Sequence, residues 1–172
     1  MAPKVTEDEI KIMLKLGRDA GTVEVDEENL CGKVFKLNDV KASNIMRPID
    51  QIYALKAEQN LLDLKDSILT SQYSRIAVYK GDLSKIVGIV QQRVLLREIA
   101  KDNYGAKVED FMTRPIFVNE NEKADDLLSK FQAYHQHLFI VQDKKGRNIG
   151  IVSMEDVLEE LFGEIYDEKD KV

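Results

Sequence analysis

The stretch "GIVSMEDVLEEL" (Gly150–Leu161) repeats in outline an earlier one, "GIVQQRVLLREI" (Gly88–Ile99). Each passes from a glycine through an apolar, β-branched run into residues with helical apolar spacing. Each therefore reads as a strand that turns directly into a helix. The second copy carries Ser153 and Asp156 at the junction, where the first has Gln91 and Val94. Ser-x-x-Asp behind a strand is the pattern of a helix N-cap with an acidic residue at N3, stabilising by about 0.5–2 kcal/mol. Only the second corner has it.

The repetition extends outward from these corners. "RIAVY", the turn "KGDLSK" and "IVGIV" precede the first helix, and "LFIVQ", "DKKGRN" and "IGIV" precede the second. Ile76 to Gly88 and Leu138 to Gly150 have the same separation, so the hairpins superpose without a gap. Further upstream, "ASNIMRPIDQIYAL" and the helical run "NLLDLKDSILTSQ" answer to "VEDFMTRPIFV" and "EKADDLLSKFQAYH". The chain thus divides into an N-terminal helical arm (1–38), repeat 1 (39–104), repeat 2 (105–165) and an acidic tail (166–172). In the arm, Thr6 and Glu9 form a capping box before Ile10, Met13 and Leu14. A second helix starts near Asp26 and sets Leu30, Cys31, Val34 and Leu37 on its inner side. Each repeat is too small to bury a good core alone, so two copies sharing one core about a pseudo-twofold axis is the economical arrangement. The predicted class is mixed α/β, two β-α-β-β-α units behind a helical arm.

Composition narrows the function classes. The chain has 172 residues, 44% of them hydrophobic and 33% charged, which suits a packed fold. Its net charge is −6 with no long basic block, which argues against broad nucleic-acid binding. No apolar run approaches the ~20 residues that span a bilayer. The single cysteine, Cys31, excludes an intramolecular disulfide, suits a reducing compartment and reads as inert core. "HQH" at 135–137 lacks a third ligand nearby, so both histidines read as structural or solvated and no metal site is expected. No nucleophile elbow, Walker loop or other catalytic constellation appears, so the chain reads as a non-enzyme.

The β-α-β-β-α repeat opens on Met46-Arg47-Pro48 and on Met112-x-x-Pro115, and its second copy closes on Gly-Ile-Val-Ser-x-x-Asp. With these motifs it resembles a tandem pair of cystathionine-β-synthase (CBS) domains, a Bateman module. More narrowly, "YSRIAVY" (73–79), "MEDVLEELFGEIYDEKD" (154–170) and the arm "VTEDEIKIMLKLGRDAG" resemble the CorC/CNNM magnesium and cobalt efflux family, also called hemolysin-like. The resemblance implies a regulatory CBS-pair module of a divalent-cation transporter. Such a module binds an adenine nucleotide, ATP (with Mg²⁺) or AMP, couples it to transport and dimerises through its CBS repeats. It would lie on the cytoplasmic side, with the parent's membrane domain as partner. That family carries a membrane domain before the pair and a corrin-like domain after it, so this chain is expected to be an excised part. Two departures are Ala77, where the family commonly has Pro, and Lys144, where it has an acid. The alternatives are a ligand-free structural dimerisation module and the nucleotide sensor of an unrelated enzyme.

The resemblance also implies site residues. Asp156 would accept hydrogen bonds from a ribose, with Ser153 beside it at the same helix N-terminus. Phosphates should avoid that carboxylate, which points them to Arg75 and the Ser74 hydroxyl, with Tyr73 alongside. Ile45, Met46, Pro48 and Ile151 would form the adenine slot. Gln91 and Val94 offer a sugar nothing comparable, so one nucleotide per chain is expected. Mg²⁺ is expected to arrive with ATP, the acidic tail holding it loosely at most.

Overall fold

The computed structural model describes residues 5–163. The tail at 166–172, and with it the loose Mg²⁺ reading, lies outside the described residues. Thr6 and Glu9 exchange the expected reciprocal bonds at the start of α1 (Glu7–Asp19). α2 (Val25–Leu37) follows, then a single turn, α3 (Ala42–Ile45), and β1 (Arg47–Pro48). The first repeat continues with β2 (Ala54–Lys56), α4 (Leu61–Thr70), β3 (Arg75–Tyr79), β4 (Ile86–Gln91) and α5 (Gln92–Ala100). The second supplies β5 (Phe117–Asn119), α6 (Ala124–Tyr134), β6 (Leu138–Gln142), β7 (Asn148–Ser153) and α7 (Met154–Phe162).

The two sheets are built alike. β2 runs parallel to β3 and β3 antiparallel to β4; β5 runs parallel to β6 and β6 antiparallel to β7. The leading segment of each repeat crosses to the other's last strand. β1 joins β7 as an antiparallel edge, Arg47 opposite Ile151 and Pro48 opposite Gly150. Thr113 makes the matching crossing, exchanging backbone bonds of 3.0 and 2.8 Å with Ile89.

The glycines that open the two corners make these crossings possible. A β-carbon at Gly150 would lie 2.6 Å from the Arg47 carbonyl oxygen and 2.8 Å from Met46 Sδ. One at Gly88 would lie 2.5 Å from Met112 Sδ. At Gly150 any larger residue would meet the backbone of the crossing segment, and at Gly88 it would meet the Met112 side chain.

Each repeat has its own apolar cluster, and a third joins them. Leu61, Ile68, Ile76, Val90 and Leu95 anchor the first; Leu127, Phe131, Phe139, Val152 and Val157 anchor the second. Ala77, Ile86, Ile89, Leu138 and Ile140 pack between the sheets, with Ile151 against them. Ala77 is fully buried in this shared layer, in mid-strand, where its N–H serves the ladder. The arm departs from expectation. Of its proposed inner stripe only Leu37 is buried; Cys31 is half-buried, and Leu30 and Val34 are exposed. α1 buries no residue at all. The arm helices pack on each other and, through α2, on α7, which leaves their remaining apolar faces open.

Candidate functional site

Where the two hairpins meet, the chain leaves a cleft of about 330 Å³. One wall is the segment Gln72–Arg75 that leads into β3. The other combines His137 and Leu138 at the start of β6, Ile151 and Ser153 of β7, and Glu155 and Asp156 of α7's first turn. Arg47, on the crossing strand β1, completes it. The shape follows from topology: the swapped edge strand brings a residue of the first repeat onto the last strand of the second.

The second corner is a closed capping box. Asp156 Oδ2 accepts from Ser153 N–H and from Ser153 Oγ, both at 2.6 Å, and Asp156 N–H donates to Ser153 Oγ at 3.1 Å. Among the described residues Asp156 Oδ1 makes no hydrogen bond, so this cleft-lining carboxylate keeps acceptor capacity. Cap and ligand contact are thus compatible in one side chain.

The first corner uses its polar groups differently. Gln91 accepts from Arg93 Nε at 2.7 Å and makes no cap bond. Gln92 Nε2 reaches back to the carbonyls of Ile68 (2.8 Å) and Ser71 (2.7 Å), satisfying the open end of α4. Gln92 N–H also donates to Ser74 O at 3.0 Å. This corner therefore braces Ser71–Ser74, the cleft wall opposite Asp156.

Positive charge enters from Arg75 and Arg47. Arg47 Nη1 donates to Tyr73 Oη at 2.7 Å, with its guanidinium carbon 5.3 Å from the ring centroid. Tyr73 in turn stacks on Tyr53, centroids 5.8 Å apart. The hydrogen bond from Arg47, with a second from Gln72, holds the Tyr73 phenol below its ordinary pKa. Two guanidinium groups and a helix N-terminus attract anions; Glu155 and Asp156 repel them locally, so an anion would settle towards the arginines.

The cleft brings together six of the nine residues expected from the sequence: Tyr73, Ser74, Arg75, Ile151, Ser153 and Asp156. Ile45, Met46 and Pro48 do not line it. Ile45 and Met46 pack against the second repeat's core, Met46 lying over Gly150, and Pro48 pairs with Gly150. Arg47, Gln72, His137, Leu138 and Glu155 were not anticipated. The signal for Arg47 was present: side chains alternate along a strand, so a core-facing Met46 turns Arg47 the other way. The two histidines of "HQH" are placed differently. His135 is the left-handed C-cap of α6 (φ 51°), whereas His137 occupies in repeat 2 the position of Arg75 in repeat 1, and lines the cleft.

A CBS domain family model matches residues 108–163. A structure of the CBS domain of the bacterial CNNM/CorC family Mg²⁺ transporter superposes with a TM-score of 0.88 at 32% identity, covering 95% of this chain and 100% of that one. A structure of that transporter family's CBS domain in complex with ATP matches with a TM-score of 0.76 at 32% identity, over 81% of this chain and 99% of that one. A UPF0053 protein of Synechocystis sp. is 38% identical over 170 residues, 98% of this chain and 49% of the relative. The chain spans half or less of the length of such curated relatives, and among its described residues no helix is long and apolar enough to cross a membrane. With its paired sheets, crossed edge segments and matching corners, the chain belongs to the CBS-domain proteins of the CNNM/CorC family.

Proposed function

We propose that the cleft binds one adenine nucleotide per chain, ATP by preference, and that the chain is the regulatory module of a divalent-cation transporter rather than an enzyme. The observation that carries the reading is the convergence, in one cleft, of a carboxylate held at a helix N-terminus with two arginines from separate strands. Asp156 would accept the ribose hydroxyls through Oδ1, and Arg75 and Arg47 would take the phosphates, the guanidinium fork matching phosphate oxygens. The ATP-bound relative supports this choice of ligand. The volume falls within the ~300–1,000 Å³ usual for small-molecule sites. Mg²⁺ would enter on the phosphates with most of its water retained.

In the intact protein the nucleotide acts by favouring one packing of the module over another, since a ligand shifts an equilibrium only by its differential affinity for the two states. A homodimer through the repeats and a cytoplasmic membrane-domain partner complete the reading. Calorimetric titration with ATP, ADP and AMP, with and without Mg²⁺, tests it: saturable binding with one nucleotide per chain is expected. Silence from all three at roughly millimolar concentration, a free energy near −4 kcal/mol, would leave a structural dimerisation module instead. Arg75→Ala should weaken ATP more than adenosine; equal losses would remove Arg75 from the phosphate site.

A further inference from the structure

Arg47 and Tyr73 meet across the boundary between the repeats. Arg47 sits on β1, the edge of the second repeat's sheet, and Tyr73 lies just ahead of β3 in the first repeat. Both line the nucleotide cleft. The tyrosine is well fixed. Its half-buried ring packs on the first core and stacks on Tyr53, with 20° between the planes. Its backbone N–H donates to Ser71 Oγ at 3.2 Å, and the Ser71 carbonyl is in turn held by Gln92. Arg47, exposed on its short strand, leans on this ring and donates Nη1 to the phenol oxygen at 2.7 Å.

That arrangement does two things for an anion. It holds a long cationic side chain in place before a ligand arrives, which lowers the ordering cost of binding. It also polarises the phenol. The bonds described at Tyr73 Oη, from Arg47 and from Gln72, are both accepted by the oxygen, and they hold the phenol below its ordinary pKa. A phenol has its own hydrogen to donate as well, and it donates more strongly when its oxygen accepts from a cation. A guanidinium carries further N–H groups besides the one given to Tyr73. A phosphate at this spot would therefore meet a charged donor and a neutral one side by side.

We propose that Arg47 and Tyr73 act as one phosphate-binding unit, in which the Tyr73 hydroxyl donates its hydrogen to a phosphate oxygen that Arg47 attracts. The unit rests on the nucleotide reading of the cleft and adds to it a neutral donor beside the arginines. Since each sheet supplies one half of it, a bound phosphate joins the two repeats.

Calorimetric ATP titration of the full chain, Tyr73→Phe, Arg47→Ala and the double variant tests the unit. Phenylalanine keeps a ring to stack on Tyr53 and removes only the hydroxyl. It should weaken ATP by about tenfold, the ordinary contribution of a hydrogen bond to a charged group, and adenosine by much less. The double variant should lose less than the two single losses combined, because without Arg47 the phenol has no cation to polarise it. Equal ATP affinity in the parent and Tyr73→Phe would overturn the unit and leave the nucleotide reading standing, as would losses that simply add. A parent chain that binds no ATP would overturn both. A second measurement is made on the parent itself. With six tyrosines and no tryptophan, its phenol ionisation can be followed by ultraviolet absorbance, and the step missing from Tyr73→Phe belongs to Tyr73. A phenolate cannot donate and is repelled by phosphate, so ATP favours the protonated phenol. Saturating ATP should move that step to higher pH by about one pH unit, the linkage counterpart of a tenfold preference. Tyr53 beside the ring, and Arg75, His137, Glu155 and Asp156 around the cleft, are common to both chains and cancel in the difference. A Tyr73 step that ATP leaves in place would refute the proposal.

Discussion

The two strand-to-helix corners share a backbone and differ in what their polar side chains hold. At Gly150–Leu161, Ser153 and Asp156 close on each other at the start of α7, where Asp156 lines the cleft and its Oδ1 makes no hydrogen bond among the described residues. At Gly88–Ile99, Val94 takes the acid's place and Gln92 ties down the end of α4. The first corner thereby shapes the wall that the second corner faces. Of two hinges with one backbone path, the first serves as a brace and the second carries the acid proposed to receive the ligand.

The glycines test what the corners have in common. Gly150→Ala should destabilise by about 1–3 kcal/mol in urea denaturation, because the new methyl meets the Arg47 backbone. Gly88→Ala should cost less, since it meets no backbone atom: Met112 Sδ and Cγ can turn aside, and only Met112 Cβ, at 2.9 Å, needs a small shift of the chain. A larger loss at Gly88 would break the ranking. Gln92→Ala probes the brace. It leaves two helix-end carbonyls without their donor, and a loss of about 1–2 kcal/mol is expected together with weaker ATP binding through the Ser71–Ser74 wall. Unchanged stability would show that water replaces the amide at no cost. Ser153→Ala should cost about 1 kcal/mol, the ordinary value of an N-cap, whereas Gln91→Ala, which removes no cap bond, should stay within about 0.5 kcal/mol. Equal effects would mean that the two corners are capped alike after all.

Much of this was legible in the sequence because the repeat is: the equal spacing from Ile76 to Gly88 and from Leu138 to Gly150 yields matching hairpins, and Ser153-x-x-Asp156 is a local signal that needs no tertiary context. The crossing of Met46 over Gly150 was not, since it depends on which strand the leading segment joins. That one contact keeps Ile45, Met46 and Pro48, expected at the adenine slot, off the cleft lining, and brings Arg47 onto it. His137 was readable by following the internal repeat from Arg75, but proximity to His135 invited a metal test instead. The arm misled for another reason. Apolar spacing identifies a helix face that wants cover, and says nothing of whether the cover lies within the same stretch of chain; Met13, Leu16 and Val34 remain exposed here.

The asymmetry between the corners is measured most directly by calorimetric ATP titration of the parent chain, Asp156→Ala and Val94→Ala, with Ser153→Ala as the control that opens the cap but keeps the carboxylate. Asp156→Ala should lose about 1.5–3 kcal/mol of binding free energy, as removal of a charged acceptor does, while Val94→Ala binds as the parent does. Equal losses at Asp156 and Val94, or full affinity without the Asp156 carboxylate, would contradict the assignment of the ligand to the second corner alone.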